Sequence, residues 1–424
     1  MTEHFRLHDG VVHCEDVPLP LIAREVGTPV YVYSTAAMQR QARDLKSALS
    51  ALGDTLIAYA VKANPNLAVL ATLAREGLGA DVVSGGEYRR ARAAGIQADK
   101  IVFSGVGKTA AEMALALEGG LFQFNLESLP EAEMLSDVAR SMGRVAPVAF
   151  RVNPDVAAGT HEKISTGSAH NKFGIPIGDA VAACDRVREL PGLDLRGVAL
   201  HIGSQITNLA PLEAAFRKLG DLVRDLKGQG HDIRTADLGG GLGVAYNPAA
   251  PLPPSPQDYG EMVARVTSGW GVALIFEPGR LIVGGAGVLL TEVIRTKSGS
   301  AYPFVIVDAA MNDLMRPSLY DAWHGIDAVV PSGEHMVSDI VGPVCETGDT
   351  FARARRTDRV EAGDLMIIRT AGAYSATMGS TYNSRALTPE VLVNGADWEV
   401  VRKRQDPELF MRDQTIPAWL DSTG

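Results

Sequence analysis

The sequence predicts a (β/α)8 TIM barrel of the α/β class joined to an all-β domain. Three observations carry this prediction. From about residue 27 to 277, eight short apolar runs alternate with longer Ala/Leu/Arg-rich amphipathic segments. Beyond residue 277 the texture changes to Val, Ile and Thr runs broken by turn residues, without amphipathic segments between them. Polar or reactive residues stand at the carboxyl ends of the eight runs: Lys62, Ser84, Ser104, Asn125, Asn153, His201, Asp237 and Glu277. That face of a barrel is where its chemistry is built.

The barrel strands are read at Leu56–Val61, Leu78–Val83, Ile101–Phe103, Leu121–Phe124, Val145–Val152, Gly197–His201, Thr235–Leu238 and Val272–Glu277. Pro65–Glu76, Gly86–Ala94, Thr109–Glu118, Ser128–Ser141, Pro176–Leu190 and Leu212–Gly228 read as helices between them. A doubly wound sheet is the other α/β solution, but no glycine-rich loop follows the first strand. Gly287–Ile294, Phe304–Asp308, Asp339–Val344, Asp364–Thr370 and Glu390–Val393 read as strands of the β domain, and the first 26 residues, with Gly10–Cys14, are expected to add one more. The expected division is therefore 27–277 for the barrel, and 1–26 with 278–424 for the β domain.

Bulk composition narrows the function classes. Net charge is −10, which argues against nucleic acid or an anionic membrane as principal partner. The first eight residues contain no apolar leader core, and the most apolar stretch, Leu281–Ile294, is too short to span a bilayer. Three widely spaced cysteines, Cys14, Cys184 and Cys345, make neither a disulfide framework nor a CxxC site. A reducing cytoplasm is the expected setting. The nine histidines include no HExxH or HxH pair, so no metal is expected.

Several constellations carry chemistry. Lys62 follows the apolar run Leu56–Val61 and precedes the strand-breaking Asn64-Pro65. An amine desolvated at a strand end suits Schiff-base chemistry, although a lysine there can also extend its head to water. Gly239-Gly240-Gly241-Leu-Gly243 follows the seventh strand, where barrels commonly bind phosphate; tight turns are its plainer explanation. His201 could stack on a planar cofactor with Ser204 reaching a phosphate, or be a satisfied structural histidine. Glu277 could face a pyridine nitrogen and keep the ring protonated, with Arg280 clamping an anion; a Glu–Arg ion pair is the alternative. Arg316 and Tyr320, four apart, share a helical face suited to a carboxylate; a surface arginine and a packing tyrosine are the alternative. Cys345 beside Glu346 offers a proton donor and an ammonium partner, or a small packed thiol and a solvated acid. Tyr374, in the turn-rich stretch Gly372–Asn383, could bond a phosphate or a substrate group; a plain loop is the alternative.

In combination these segments resemble the fold-type III pyridoxal-phosphate decarboxylases, and within them the branch whose substrate is meso-2,6-diaminopimelate. The resemblance runs through Tyr59–Asn64, Asp81–Glu87, Lys163–Gly167 with Lys172–Gly174, His201–Ile206, Gly239–Gly243, Glu277–Arg280, Met315–Tyr320, Val344–Asp349 and Gly372–Asn383, in order along the chain. It implies a small-molecule substrate, pyridoxal 5'-phosphate as cofactor, and release of L-lysine and CO2 as the last step of lysine biosynthesis. It implies Lys62 as the covalent anchor of the cofactor, His201 stacked on the ring and Glu277 at its nitrogen. Ser204, Gly239, Gly240, Gly241 and Tyr374 would surround the phosphate. Arg280, Arg316 and Tyr320 would hold substrate carboxylate, Glu346 the distal amino-acid end, and Cys345 would be the acid. It further implies a homodimer with shared active sites, in which Cys345 and Glu346 serve the partner. A racemase on the same fold would need a second base opposite Lys62, and a cofactor-homeostasis protein would lack the β domain.

Overall fold

A computed structural model describes residues 4–157 and 171–420. Contacts divide the chain into two compact units, Thr35–Ala286 and Met1–Ser34 with Gly287–Gly424.

In the first unit, parallel strands Thr55–Ala60, Gly79–Val82, Ile101–Phe103, Gln123–Leu126, Ala146–Asn153, Leu193–Ala199, Thr235–Asp237 and Ala273–Phe276 pair in chain order. The eighth then pairs with the first, Leu274 opposite Thr55, and closes the barrel. Ala58, Val102 and Ile275 fill its interior, with Leu56 and Phe122 packed against them. Each strand is short because the run of side chains that can be buried on both faces is short. The fourth strand starts two residues later than expected, at Gln123, because buried polar side chains of Gln123 and Asn125 pair with each other inside the barrel.

The helices begin where side-chain oxygens satisfy free backbone N–H groups. Asn66 accepts from Ala68 N, Ser84 from Glu87 N, and Ser128 from Glu131 N. Thr109 with Glu112, and Ser255 with Asp258, form reciprocal capping boxes. Two helices lie outside the sequence reading, Thr35–Leu49 and Pro256–Thr267. They approach so closely that a Cβ at Gly260 would lie 2.2 Å from Ala48 O.

In the second unit the N-terminal residues supply strands at two places. Phe5–His8, Val11–Cys14 and Val17–Pro18 form a three-stranded sheet of their own. The N-terminal strand that enters the large sheet is Val30–Ser34, buried at all five positions. It lies between Gly287–Lys297, antiparallel, and Glu390–Asn394, parallel. Its Val-Tyr-Val-Tyr pattern buries both faces, with Val30 and Val32 in the core beside Val288, Leu290 and Val391, and Tyr33 donating to Glu390 at 2.6 Å. The units accordingly part at residues 34/35 and 286/287. The rest of the sheet runs from Gly287–Lys297 through Phe304–Val307 and His335–Val341 to Thr350–Asp358, with Leu365–Ile368 pairing on the other side of Gly287–Lys297. Among the described residues no helix is long and apolar enough to cross a membrane.

Candidate active site

Lys62 stands in a single 3-10 turn, Val61–Ala63, just past the first barrel strand. Its Nζ lies 2.6 Å from Oδ2 of Asp81, a fully buried residue of the second strand. The lysine side chain is 40% exposed, so it is neither fully buried nor held by desolvation alone. Asp81 Oδ1 is buried with no hydrogen-bond partner among the described residues. An orphaned carboxylate oxygen is costly, and a polar ligand group at this point would satisfy it. Glu87, whose Oε2 accepts from Val83 N, adds a further acid near the pair, its carboxyl pushed up by burial and by Asp81. Ser84, on the same face, is used as a helix cap.

Glu277 follows the eighth strand. Ala60 N donates to Pro278 O at 3.0 Å, so Lys62 and Glu277 leave neighbouring strand ends. Ser104 Oγ donates to Glu277 Oε1 at 3.2 Å, and Asn125 Nδ2 donates to Asp237 Oδ2 at 2.8 Å. Burial first, then Asp237 and Asp81, push the Glu277 carboxyl well above the usual range; Lys62 opposes them. Burial likewise raises Asp237, to about 6.

The glycine turn sits beside this group. Gly239 and Gly241 have φ of +65° and +115°, and a Cβ at Gly240 would lie 2.1 Å from Glu277 O. Only glycine fits such an approach. Gly239 N donates to Asp237 Oδ1 at 2.9 Å, and Gly240 N donates to His201 Nδ1 at 3.2 Å. Nδ1 is thereby an acceptor, which leaves the proton of the neutral ring on Nε2. Burial, Arg151 and Lys62 push His201 well below its ordinary value, so it presents a flat, uncharged face. The loop carrying Ser204 is tied to the same turn by Ile206 N to Gly241 O and Gly243 N to Ile206 O, both 2.9 Å. Arg280 is buried in the first turn of the helix Arg280–Val283, bonded to Tyr246 OH and with its guanidinium 5.6 Å from the Tyr246 ring centre. The barrel thus gathers Lys62, His201, Ser204, Gly239, Gly240, Gly241, Glu277 and Arg280 at one end.

In the second unit, Arg316 and Tyr320 bound one short helix. Buried Arg316 donates to His324 Nε2 at 2.9 Å, and His324 Nδ1 donates to Arg369 O at 2.7 Å. Cys345 and Glu346 are exposed in a loop, whereas Cys14 and Cys184 are buried. Asp349 anchors that loop by accepting from Val344 N at 2.7 Å and Met311 N at 2.6 Å. Ser318 Oγ also donates to Gly348 O at 2.5 Å, so the Arg316 helix and the Cys345 loop are fixed to one another. Tyr374 is half-buried, with a positive φ of 53°. Lys163–Gly167 lies outside the described residues.

Sequence reasoning missed several partners. Asp81 carried the clearest signal, a lone acid inside the apolar run Gly79–Val82. Arg151, Tyr246 and His324 carried none in isolation. Arg151 donates to Glu127 at 2.9 Å and lies over the Phe173 ring, while Glu127 also accepts from Gly174 N at 2.7 Å.

The family described as pyridoxal-dependent decarboxylase, pyridoxal binding domain, matches residues 36–284. The residues present fit such a cofactor: an accessible amine, an unsatisfied buried carboxylate oxygen beside it, a flat neutral imidazole, a carboxyl at the neighbouring strand end and a turn closed to any side chain. Over 418 residues the chain is 56% identical to the diaminopimelate decarboxylase of Zymomonas mobilis, covering 98% of this chain and 99% of that protein. It is 49% identical to that of Pseudomonas fluorescens, over 97% and 99%. Among solved structures, the diaminopimelate decarboxylase of M. jannaschii in complex with L-lysine superposes with a TM-score of 0.95 at 35% identity, over 99% of each chain. That of Helicobacter pylori, also with L-lysine, gives 0.90 at 38%, over 93% and 98%. The chain belongs to the pyridoxal-dependent decarboxylases, in the diaminopimelate decarboxylase family.

Proposed function

We propose that this chain converts meso-2,6-diaminopimelate to L-lysine and CO2, the last step of lysine biosynthesis. The observation that carries this reading is the placement of Lys62, paired with Asp81, and Glu277 on neighbouring strand ends beside a side-chain-free glycine turn. Pyridoxal phosphate, when bound, supplies the electron sink for the breaking C–CO2 bond.

The chain's own residues supply the rest. Lys62 would be the covalent anchor, and Asp81 holds its amine in place. Glu277 would face the ring nitrogen, and neutral His201 would stack on the ring without competing for charge. The side-chain-free turn Gly239–Gly241, with Ser204 and Tyr374, would surround the phosphate. Arg280, Arg316 and Tyr320 hold substrate carboxylate, and orientation of the scissile bond follows from that clamp. Glu346 takes the ammonium of the distal amino-acid head, and exposed Cys345 delivers a proton to the carbon that loses CO2. Cys345 and Glu346 act on the partner subunit's site in a cytoplasmic homodimer.

Incubation with meso-diaminopimelate and pyridoxal phosphate, followed by CO2 release and the configuration of the lysine formed, tests the reaction. Faster turnover of ornithine than of diaminopimelate would overturn the substrate.

A further inference from the structure

Two buried carboxyl groups meet at the ends of the seventh and eighth barrel strands, and only one has been given a task. Asp237 is fully buried. Its Oδ1 accepts from Gly239 N at 2.9 Å and its Oδ2 from Asn125 Nδ2 at 2.8 Å. The same amide nitrogen lies 3.4 Å from Glu277 Oε1, and the two carboxyl groups are themselves in hydrogen-bond contact. Asn125 cannot turn over to relieve them. Gln123 Nε2 donates to Asn125 Oδ1 at 2.8 Å, and Thr235 Oγ1 donates to Gln123 Oε1 at 2.8 Å, which fixes the Asn125 amide with its N–H toward the acids. Ionised carboxylates only accept, so a contact between two of them requires a proton.

We propose that Asp237 is a positioning residue that takes the proton shared with Glu277 when Glu277 faces the cofactor's ring nitrogen, leaving Glu277 as the single anion of the pair. The proposal rests on the ring-facing role given to Glu277 above. The surroundings set the starting point. Asp81 on the second strand adds negative charge, Lys62 after the first adds positive charge, and Ser104 after the third and Asn125 on the fourth donate hydrogen bonds. Tyr259, on the outer helix, is neutral and is pushed further up by burial and by Asp237. Without the cofactor the proton resides on Glu277, whose donors stand at 3.2 and 3.4 Å, since the closer donors at 2.8 and 2.9 Å favour the ionised form of Asp237. A protonated ring nitrogen at Glu277 favours its ionised form. One proton then leaves a Glu277 oxygen and joins an Asp237 oxygen. The ring nitrogen brings its own proton, and the charge of the pair stays at one negative. Through Gly239 N, Asp237 also anchors the first glycine of the turn, so one residue couples the ring's partner to that turn.

Isotope-edited infrared spectra of the full-length enzyme, grown with 13C-carboxyl aspartate or glutamate, locate the proton. Spectra of Asp237→Asn are subtracted to remove other buried acids. At pH 7 the protonated-carboxyl band of the cofactor-free protein should move with the glutamate label. After loading with pyridoxal phosphate it should move with the aspartate label. Two ionised carboxylates in the cofactor-free protein, or a band that stays with the glutamate label after loading, would overturn the proposal. If the amide variant does not fold, the two wild-type labelled spectra decide alone. Where it folds, kcat should fall about tenfold or more with KM little changed, and the bound cofactor's absorption should show a less protonated ring. Glu277→Gln separates the two readings. A cofactor spectrum unchanged by it removes the ring-facing role; a changed spectrum with the label still on glutamate removes only the role of Asp237.

Discussion

At the scale of single residues, the candidate site is a set of charges that the barrel keeps apart in kind. Lys62 has an ionic partner and an exposed flank, whereas Asp237 and Glu277 sit together with too few protons for two acids. Replacing Lys62 by Ala is expected to abolish the covalent cofactor absorbance and to lower turnover by on the order of 10³-fold or more; retained turnover would remove Lys62 from the chemistry. Asp237 has a stability signature of its own. Its folded value lies above its unfolded one, at about 6, so its contribution is fully present below about pH 4 and is lost as pH rises through 6. The cofactor-free Asp237→Asn protein should therefore gain on the cofactor-free wild type between pH 4 and 7, by roughly 2–3 kcal/mol at most. Chemical denaturation across that range checks it, and a constant difference would mean that Asp237 does not titrate there. His201, held low, acts in the opposite sense, since stability is lost as pH falls through its unfolded value. It cancels in the comparison because both proteins carry it.

At the scale of elements, the barrel was legible because strands buried on both faces leave uninterrupted apolar runs, and because several helix starts have a capping residue. All eight strands were found within a few residues, and Ser128 and Thr109 mark helix starts in sequence as they do in space. The partners of the site residues were not legible. Asp81 and Lys62 are 19 apart, and Asn125 and Asp237 are 112 apart, distances that no local pattern encodes. Glycines fall between these cases: the cluster was visible, but only the backbone shows which member lacks room. A Cβ at Gly240 would meet the rigid Glu277 carbonyl, while one at Gly178 would meet nothing within 4 Å. Gly240→Ala should thus cost about 1–3 kcal/mol and weaken pyridoxal phosphate binding, whereas Gly178→Ala should leave both within about 0.5 kcal/mol. Denaturant titration and cofactor binding by absorbance read the two effects, and equal behaviour of the two variants would contradict the tight approach.

At the scale of the molecule, the chain order conceals which residues belong together. Val30–Ser34 precedes the barrel in sequence, yet pairs with strands some 250 and 350 residues later, and no periodicity distinguishes it from a barrel strand. Within the second unit, Ser318 ties the helix Arg316–Tyr320 to the loop of Cys345 and Glu346, and Asp349 ties that loop to Met311. Nothing in that arrangement requires Cys345 and Glu346 to serve the barrel of their own chain, and the proposed homodimer has them serve the other. Complementation distinguishes the two cases. A dimer of one Lys62→Ala chain and one Cys345→Ala chain holds a doubly damaged site and an intact one if Cys345 acts across the interface. If it acts within its own chain, each site has one lesion and neither is intact. Co-refolding equal amounts makes about half of the dimers mixed, so activity should recover to about a quarter of wild type in the first case. Recovery no greater than the sum of the separate variants would place Cys345 with its own Lys62 and remove the shared site.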